Sequence, residues 1–265
     1  MKKKRLLVLA DLHCGHMVGL TPPHWHISRG RSEETNLPTH IANTQRVMWN
    51  TYVAEVRKLG KVDFLIVNGD AVDGKGTKSG GTELITSDMD EQSHMAIQCI
   101  NQVDTSVIRM SYGTPYHTGL TEDWENHVAG ALDAKIGSHD WLDIFGVIFD
   151  YKHFIGASSI PHGRHTAIAR ARMWNVLWDE RDEQPKANVL VRSHVHYYIG
   201  ASADGWEGVT TPSLQAAGTK FGARRCEGTV DLGFIYYDIW EDGSWTRNHV
   251  KFARAARKAH AEKLA

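Results

Sequence analysis

Cysteine is scarce in this chain. The 265 residues hold three, Cys14, Cys99 and Cys226. An odd number at wide spacing excludes a disulfide framework and fits a reducing compartment such as the cytoplasm. Cys14 reads as a small buried thiol. Proline is also sparse, at 7 residues. No Pro/Gly/Ser linker, internal repeat or low-complexity tract divides the sequence, which reads as one domain over 1–265. Charge of one sign is missing: 30 Lys and Arg face 31 Asp and Glu, for a net charge of -1. No global field therefore favours nucleic acid or a membrane surface. No stretch approaches the ~18 apolar residues of a membrane span. The basic start Met1–Arg5 followed by Leu6–Ala10 imitates a secretory signal. Its apolar run falls short of the roughly 7–15 residues of such a signal and ends in Asp11 and His13, so it reads as a first strand. The loop 74–81 carries a Lys-Ser pair without the glycine spacing of a Walker motif.

What is present is an ordinary globular composition, 42% apolar and 23% charged. That is enough to bury a core unaided at this length. Histidine stands out at 16 residues. Position separates the informative ones from the rest. The run Leu6–Ala10 delivers Asp11-Leu12-His13, Phe64–Val67 delivers Gly69-Asp70, and Val189–Val191 delivers His194-Val195-His196. Open α/β sheets bind ligands outside the carboxyl ends of their strands. Carboxylates and imidazoles converging there suit divalent metal ions. His24, His26, His40, His94, His127, His139, His165 and His249 lack such placement and read as surface or core residues.

The surrounding pattern alternates between strand and helix. A long irregular segment, 15–38, precedes a helix over 39–59 with Thr39 as its cap. A strand over 62–67 follows, then the flexible loop 74–81 and a helix over 87–103 with Asp88, Asp90 and Glu91 at its positive end. A strand over 106–110 leads to Gly113-Thr114-Pro115-Tyr116-His117, and Thr121 starts another helix. Further strands fall at 146–153, 189–195, 197–202, 234–240 and 245–252, with a helix over 164–178 between the first two. Glu241-Asp242-Gly243-Ser244 joins the last pair as a hairpin. The tail, about 252–265, reads as a basic, solvated helix.

Taken in order, Asp11-x-His13, Gly69-Asp70, Gly113…His117, an isolated His and His194-x-His196 resemble the calcineurin-like metallophosphoesterase superfamily. Its signature is D-x-H, G-D, G-N-H-[D/E], H and G-H-x-H on successive strand ends. The resemblance implies a four-layer α/β/β/α sandwich of two mixed sheets flanked by helices. It also implies two divalent cations, Mn²⁺ foremost with Fe or Zn²⁺ as alternatives, since oxygen and imidazole donors suit these ions. Asp70 would bridge them. Asp11, His13 and His196 would complete one shell, and His194 with the isolated His would serve the other. His153 ends a strand and is preferred for that place over His162, with His165 third.

The departure from the family lies at Thr114, where the signature has Asn, with two extra residues before His117. A hydroxyl is a poorer neutral ligand than an amide oxygen, so Thr114 stands as a metal ligand or a support beside one. Ser193 replaces the signature's glycine. The implied chemistry is attack of a bridging water on phosphorus, with His117 as general acid, Glu122 or Glu125 orienting it, and His16 and Arg192 touching phosphate. Asp73 is either a carboxylate supporting the ligands or a turn residue, the turn being preferred, and Trp25 is the tryptophan to test for stacking on a substrate. The expected substrate is a phosphodiester of nucleic acid or a nucleotide. A phosphomonoesterase or protein phosphatase is the alternative, and a non-catalytic scaffold is the rival of another class.

Overall fold

In the computed structural model, which describes residues 1–27, 36–158, 160–217, 219 and 228–253, Leu6, Leu7, Val8 and Leu9 are all fully buried. A strand buries successive side chains on opposite faces, so unbroken burial requires apolar layers on both sides. β1 (Lys3–Leu9) satisfies this. It pairs in parallel with β2 (Phe64–Asn68), which continues in parallel to β3 (Ile108–Ser111) and β4 (Lys135–Gly137).

The second sheet forms from β5 (Asp140–Ile144), β6 (Val147–Tyr151), β7 (Val189–Arg192), β8 (Ile199–Ala203) and β9 (Trp206–Thr210), in the order β5-β6-β7-β9-β8. Its inner pairs β6–β7 and β7–β9 are parallel, and its outer pairs are antiparallel. The last two strands, β10 (Gly233–Trp240) and β11 (Trp245–Lys251), return antiparallel to the free side of β1 and complete the order β11-β10-β1-β2-β3-β4.

Leu6, Val8 and Ile66 pack with Phe149, Val189, Val191 and Val209 between the two sheets, where Phe149 meets Tyr237 edge to face at 5.0 Å. On the other face of the first sheet, Leu7, Leu9, Leu65 and Val67 meet α1 (Asn36–Leu59) and α2 (Met89–Ile100) through Tyr52, Val56, Met95 and Cys99. Val128 and Ala129 of α4 (Glu125–Ala131) join that layer, and the single turn α3 (Pro115–Thr118) precedes it. Ala167 and Ile168 of α5 (Arg164–Asp179) cover the outer face of the second sheet with Ile199, Ala201 and Trp206. The molecule is thus helix, mixed sheet, mixed sheet, helix.

Several sequence expectations shift. α1 starts at Asn36, so Thr39 lies within the helix and does not cap it. Asp88 does cap α2, accepting from the backbone N–H of Asp90 and Glu91 at 2.9 and 3.2 Å. The loop expected to be flexible at 74–81 holds a 3₁₀ turn, Thr77–Ser79, and its root is clamped by Gln92. That buried amide accepts from the N–H of Asp73 and Gly74 and donates to the carbonyls of Gly74 and Thr86. Trp25 is half-buried and packs against the hydrophobic core, with the ring of His24 edge-on at 5.2 Å. β4, β5 and β9 lack a strong apolar alternation and were not expected. Cys226, part of the 15–38 segment and the tail from residue 254 lie outside the described residues.

Candidate metal centre

Eight non-glycine residues among those described have positive φ, and five of them are Asp11, His13, Asp70, His194 and His196. Left-handed backbone costs an L-residue roughly 1–2 kcal/mol. Such conformations persist where the surrounding structure holds them. Here the tips of β1 and β2 are zipped together past their ends. Asp11 N–H donates to Gly69 O, His13 N–H to Asp70 O, and Cys14 N–H to Ala71 O, at 3.0, 2.9 and 3.0 Å. Gly69 has φ +79°, which favours glycine, and its surroundings exclude a side chain as well. A Cβ there would stand 2.5 Å from His153 Nδ1 and 2.8 Å from Gly113 Cα.

These turns bring donors from both sheets to one end of the sandwich. Ligand atoms of Asp11, His13 and His196 lie within 4.8 Å of one another, and so do those of Asp70, His153 and His194. Asp70 Oδ2 stands between the two sets, 3.0 Å from His153 Nε2 and 4.0 Å from His13 Nε2. His196 Nε2 lies 3.2 Å from Asp11 Oδ1 and 3.2 Å from His13 Nε2. His162 and His165 are exposed on the 3₁₀ turn Pro161–Gly163 and on α5, away from this cluster.

The donor chemistry fits a cation. His13 Nδ1 donates to Asp73 Oδ1 at 2.8 Å, and His153 Nδ1 donates to Asn68 O at 2.8 Å. In the neutral rings this leaves both Nε2 atoms as lone pairs turned toward carboxylates or another imidazole. Asp11 Oδ1 is buried and, among the described residues, is faced only by imidazole nitrogens, His196 Nε2 at 3.2 Å and His13 Nε2 at 4.0 Å. The same convergence shifts protonation. Burial acts to raise the Asp70 and Asp11 carboxyls, yet the facing His153 and His196 hold them below the usual range. Burial acts to lower His153, but Asp70 lifts it to about 10. Burial and the neighbouring His117 bring His13 down to about 4.

Thr114 occupies the position of interest in the third motif. Its N–H donates to Asp70 Oδ1 at 2.6 Å, and its Oγ1 lies 3.2 Å from Asp70 Oδ2, 3.2 Å from His194 Nδ1 and 3.4 Å from His153 Nε2. The hydroxyl thus faces the Asp70–His153–His194 set. His117 faces the other set, its ring edge to face with His13 at 4.6 Å.

Two sequence readings are corrected here. Neither Glu122 nor Glu125 orients His117. Glu122 pairs with His127 at 2.9 Å, and Glu125 accepts from the N–H of Ala71 and Gly113. Asp73, expected to be a turn residue, orients His117 instead: His117 Nδ1 donates to Asp73 O at 2.9 Å and lies 3.4 Å from its Oδ1. Burial opposes protonation of His117, but the Asp73 hydrogen bond and the Asp70 charge raise its pKa to about 9. Glu125, fully buried and near Asp70, is raised to about 8.

Arg192 is also reassigned. It is buried, with its guanidinium held by the carboxylate and carbonyl of Asp150 at 2.6 and 3.1 Å, and is not free for a phosphate. His16 is buried too, accepting from Val18 N–H, with its Nε2 3.6 Å from Glu83. Two further residues went unread in the sequence. Asn68 sits fully buried beneath the cluster. Phe154 is 56% exposed, with its ring 5.0 Å from that of His194. Adjacency to Asp70 and His153 was the available signal for both.

No protein-family model matches the chain, and no curated protein sequence does. Solved structures do. Chaetomium thermophilum Vps29 is 11% identical over 94% of this chain and 98% of its own, with a TM-score of 0.46. A structure described as a novel archaeal phosphodiesterase is 10% identical over 93% and 99%, with a TM-score of 0.44. A Streptococcus pneumoniae protein termed a predicted phosphoesterase is 11% identical over 95% and 99%, with a TM-score of 0.39. At such identities and TM-scores the likeness assigns neither an activity nor a ligand.

Proposed function

We propose that this chain is a metal-dependent phosphoric ester hydrolase acting on phosphodiesters. The observation that carries the reading is the placement of Asp70 between two donor sets drawn from both sheets, Asp11–His13–His196 and His153–His194. Asp11, His13 and His196 would hold one divalent cation, His153 and His194 a second, and Asp70 would be shared, with the Thr114 hydroxyl as a neutral donor on the second side. Bound there, such cations supply Lewis-acid stabilisation of phosphoryl charge and lower the pKa of water toward neutrality.

The chain's own residues supply the rest. Asp73 fixes the rings of both His13 and His117. Because His117 commits Nδ1 to Asp73, its Nε2–H is the proton free to pass to a leaving alkoxide. A general acid of this kind is worth about 10²–10⁴-fold. Glu125 ties the Asp70 loop to the Thr114 loop through Ala71 and Gly113. The exposed ring of Phe154 beside His194 offers an apolar face to a second ester group, which favours a diester, and an aromatic or nucleoside ester within that class.

Chelator-stripped protein assayed with and without Mn²⁺ tests the reading. Hydrolysis of bis-p-nitrophenyl phosphate that returns only with metal is expected. Turnover of the monoester alone would overturn the diester assignment, and no metal-dependent turnover of either would overturn the hydrolase.

A further inference from the structure

Beneath the donor cluster runs a chain of buried polar side chains that crosses from one sheet to the other. Ser111, at the end of β3, donates its hydroxyl to Asn68 Oδ1 at 2.7 Å. Asn68, at the end of β2, donates through Nδ2 to Ser193 Oγ at 2.7 Å and to Lys152 O at 3.2 Å. Thr211, just past β9, donates to the same Ser193 Oγ at 2.8 Å. All four residues are at most 1% exposed.

Buried polar groups in an otherwise apolar sandwich are tolerated only when satisfied, and a satisfied network fixes one geometry. Three of the four, and Lys152 with them, stand one to three residues upstream of a donor, while Thr211 braces Ser193 from the neighbouring strand. Asn68 lies two residues before Asp70, Lys152 one before His153, Ser193 one before His194, and Ser111 three before Thr114. The backbone closes the same loop: Asn68 O accepts from His153 Nδ1, and His153 O accepts from Ser193 N–H at 2.8 Å. Asp11 and His13 are reached by none of these bonds.

We infer that Ser111, Asn68, Ser193 and Thr211 form a positioning network that sets the spacing of the Asp70–His153–His194 half of the metal centre across the two sheets. The inference rests on reading those residues as metal ligands. It also accounts for the serine at 193, where the resembled signature has glycine: the hydroxyl is the junction at which Asn68 and Thr211 meet.

Titration calorimetry of chelator-stripped protein with Mn²⁺, alongside circular dichroism and melting without metal, tests it. Wild-type protein is expected to show two binding events. Asn68→Leu should weaken the event that depends on His153 and His194 by about 10–100-fold, the range for groups that orient ligands, and weaken the other, which has only Asp70 in common with it, by a clearly smaller factor. Ser193→Ala, which removes less, should weaken the same event by a smaller factor if Asn68→Leu fails to fold. The double variant should lose no more than the larger single loss, since both act through one hydrogen bond. A folded Asn68→Leu or Ser193→Ala with unchanged Mn²⁺ binding would overturn the network while leaving the metal centre standing. Equal weakening of both events would also overturn it. Wild-type protein that takes up no Mn²⁺ would overturn the metal centre itself, and the inference with it.

Discussion

The two sheets contribute different chemistry to one end of the molecule. The first sheet supplies every carboxylate of the two donor sets, Asp11 and Asp70, with His13 beside them. The second supplies imidazoles alone, His153, His194 and His196. Neither sheet carries a complete set. Each set becomes complete only when the sheets pack, so the site depends on the apolar layer of Leu6, Val8, Ile66, Phe149 and Val191 between them. The difference also divides the electrostatics: both anionic carboxylates arrive from one side, and three of the four imidazoles from the other.

Removing the shared acid should break this division most completely. Asp70→Asn is expected to abolish metal-dependent hydrolysis with the fold intact by circular dichroism, and full activity would refute the shared role. Next come single losses from each sheet. His153→Ala and His13→Ala should each reduce bound Mn²⁺ from two ions to one per chain, measured by elemental analysis of the purified protein.

His117→Ala leaves both sets in place. Metal content should hold while turnover falls by about 10²–10⁴-fold for poor leaving groups and less for p-nitrophenolate, a pattern that leaving-group kinetics would reveal. Glu125→Leu should act through stability. It leaves the N–H groups of Ala71 and Gly113 without acceptors, at about 1–3 kcal/mol each, read as a lowered Tm.

The smallest effect concerns pH. The folded-state pKa of His117 is raised from 6.5 to about 9. Its contribution to stability in metal-free protein is therefore complete below about pH 6.5 and lost as pH rises through 9. Asp73→Asn should flatten that decline, measured by denaturant unfolding across pH 6 to 10.

The sequence made the first sheet's part of the site easier to read than the second's. Leu6–Leu9 and Phe64–Val67 are unbroken apolar runs ending in acids, and both local pattern and strand-end logic point the same way. In the second sheet β9 has no such run and β5 is only half-buried, so their existence depends on pairing with neighbouring strands; the first sheet's one comparable case is its short edge strand β4, which carries no donor. The donors themselves were legible from order and spacing. Their supports were not. Asp73 looked like a turn because its partners His13 and His117 lie far from it along the chain. Arg192 looked available because Asp150, which holds it, belongs to a different strand. Hydrogen bonds across the sandwich leave no periodic mark on a single sequence.

The left-handed backbone at five donor residues carries a further consequence. At Asp11, His13, Asp70, His194 and His196 the conformation is one that glycine adopts at no steric cost. Substituting glycine for a ligand such as His194 would relax the main chain while emptying its place in the donor set. A selection for thermal robustness alone would therefore drift toward a sturdier protein that binds metal poorly. The side chains at these positions oppose the backbone's own preference for glycine, as the proposed metal-binding role would require.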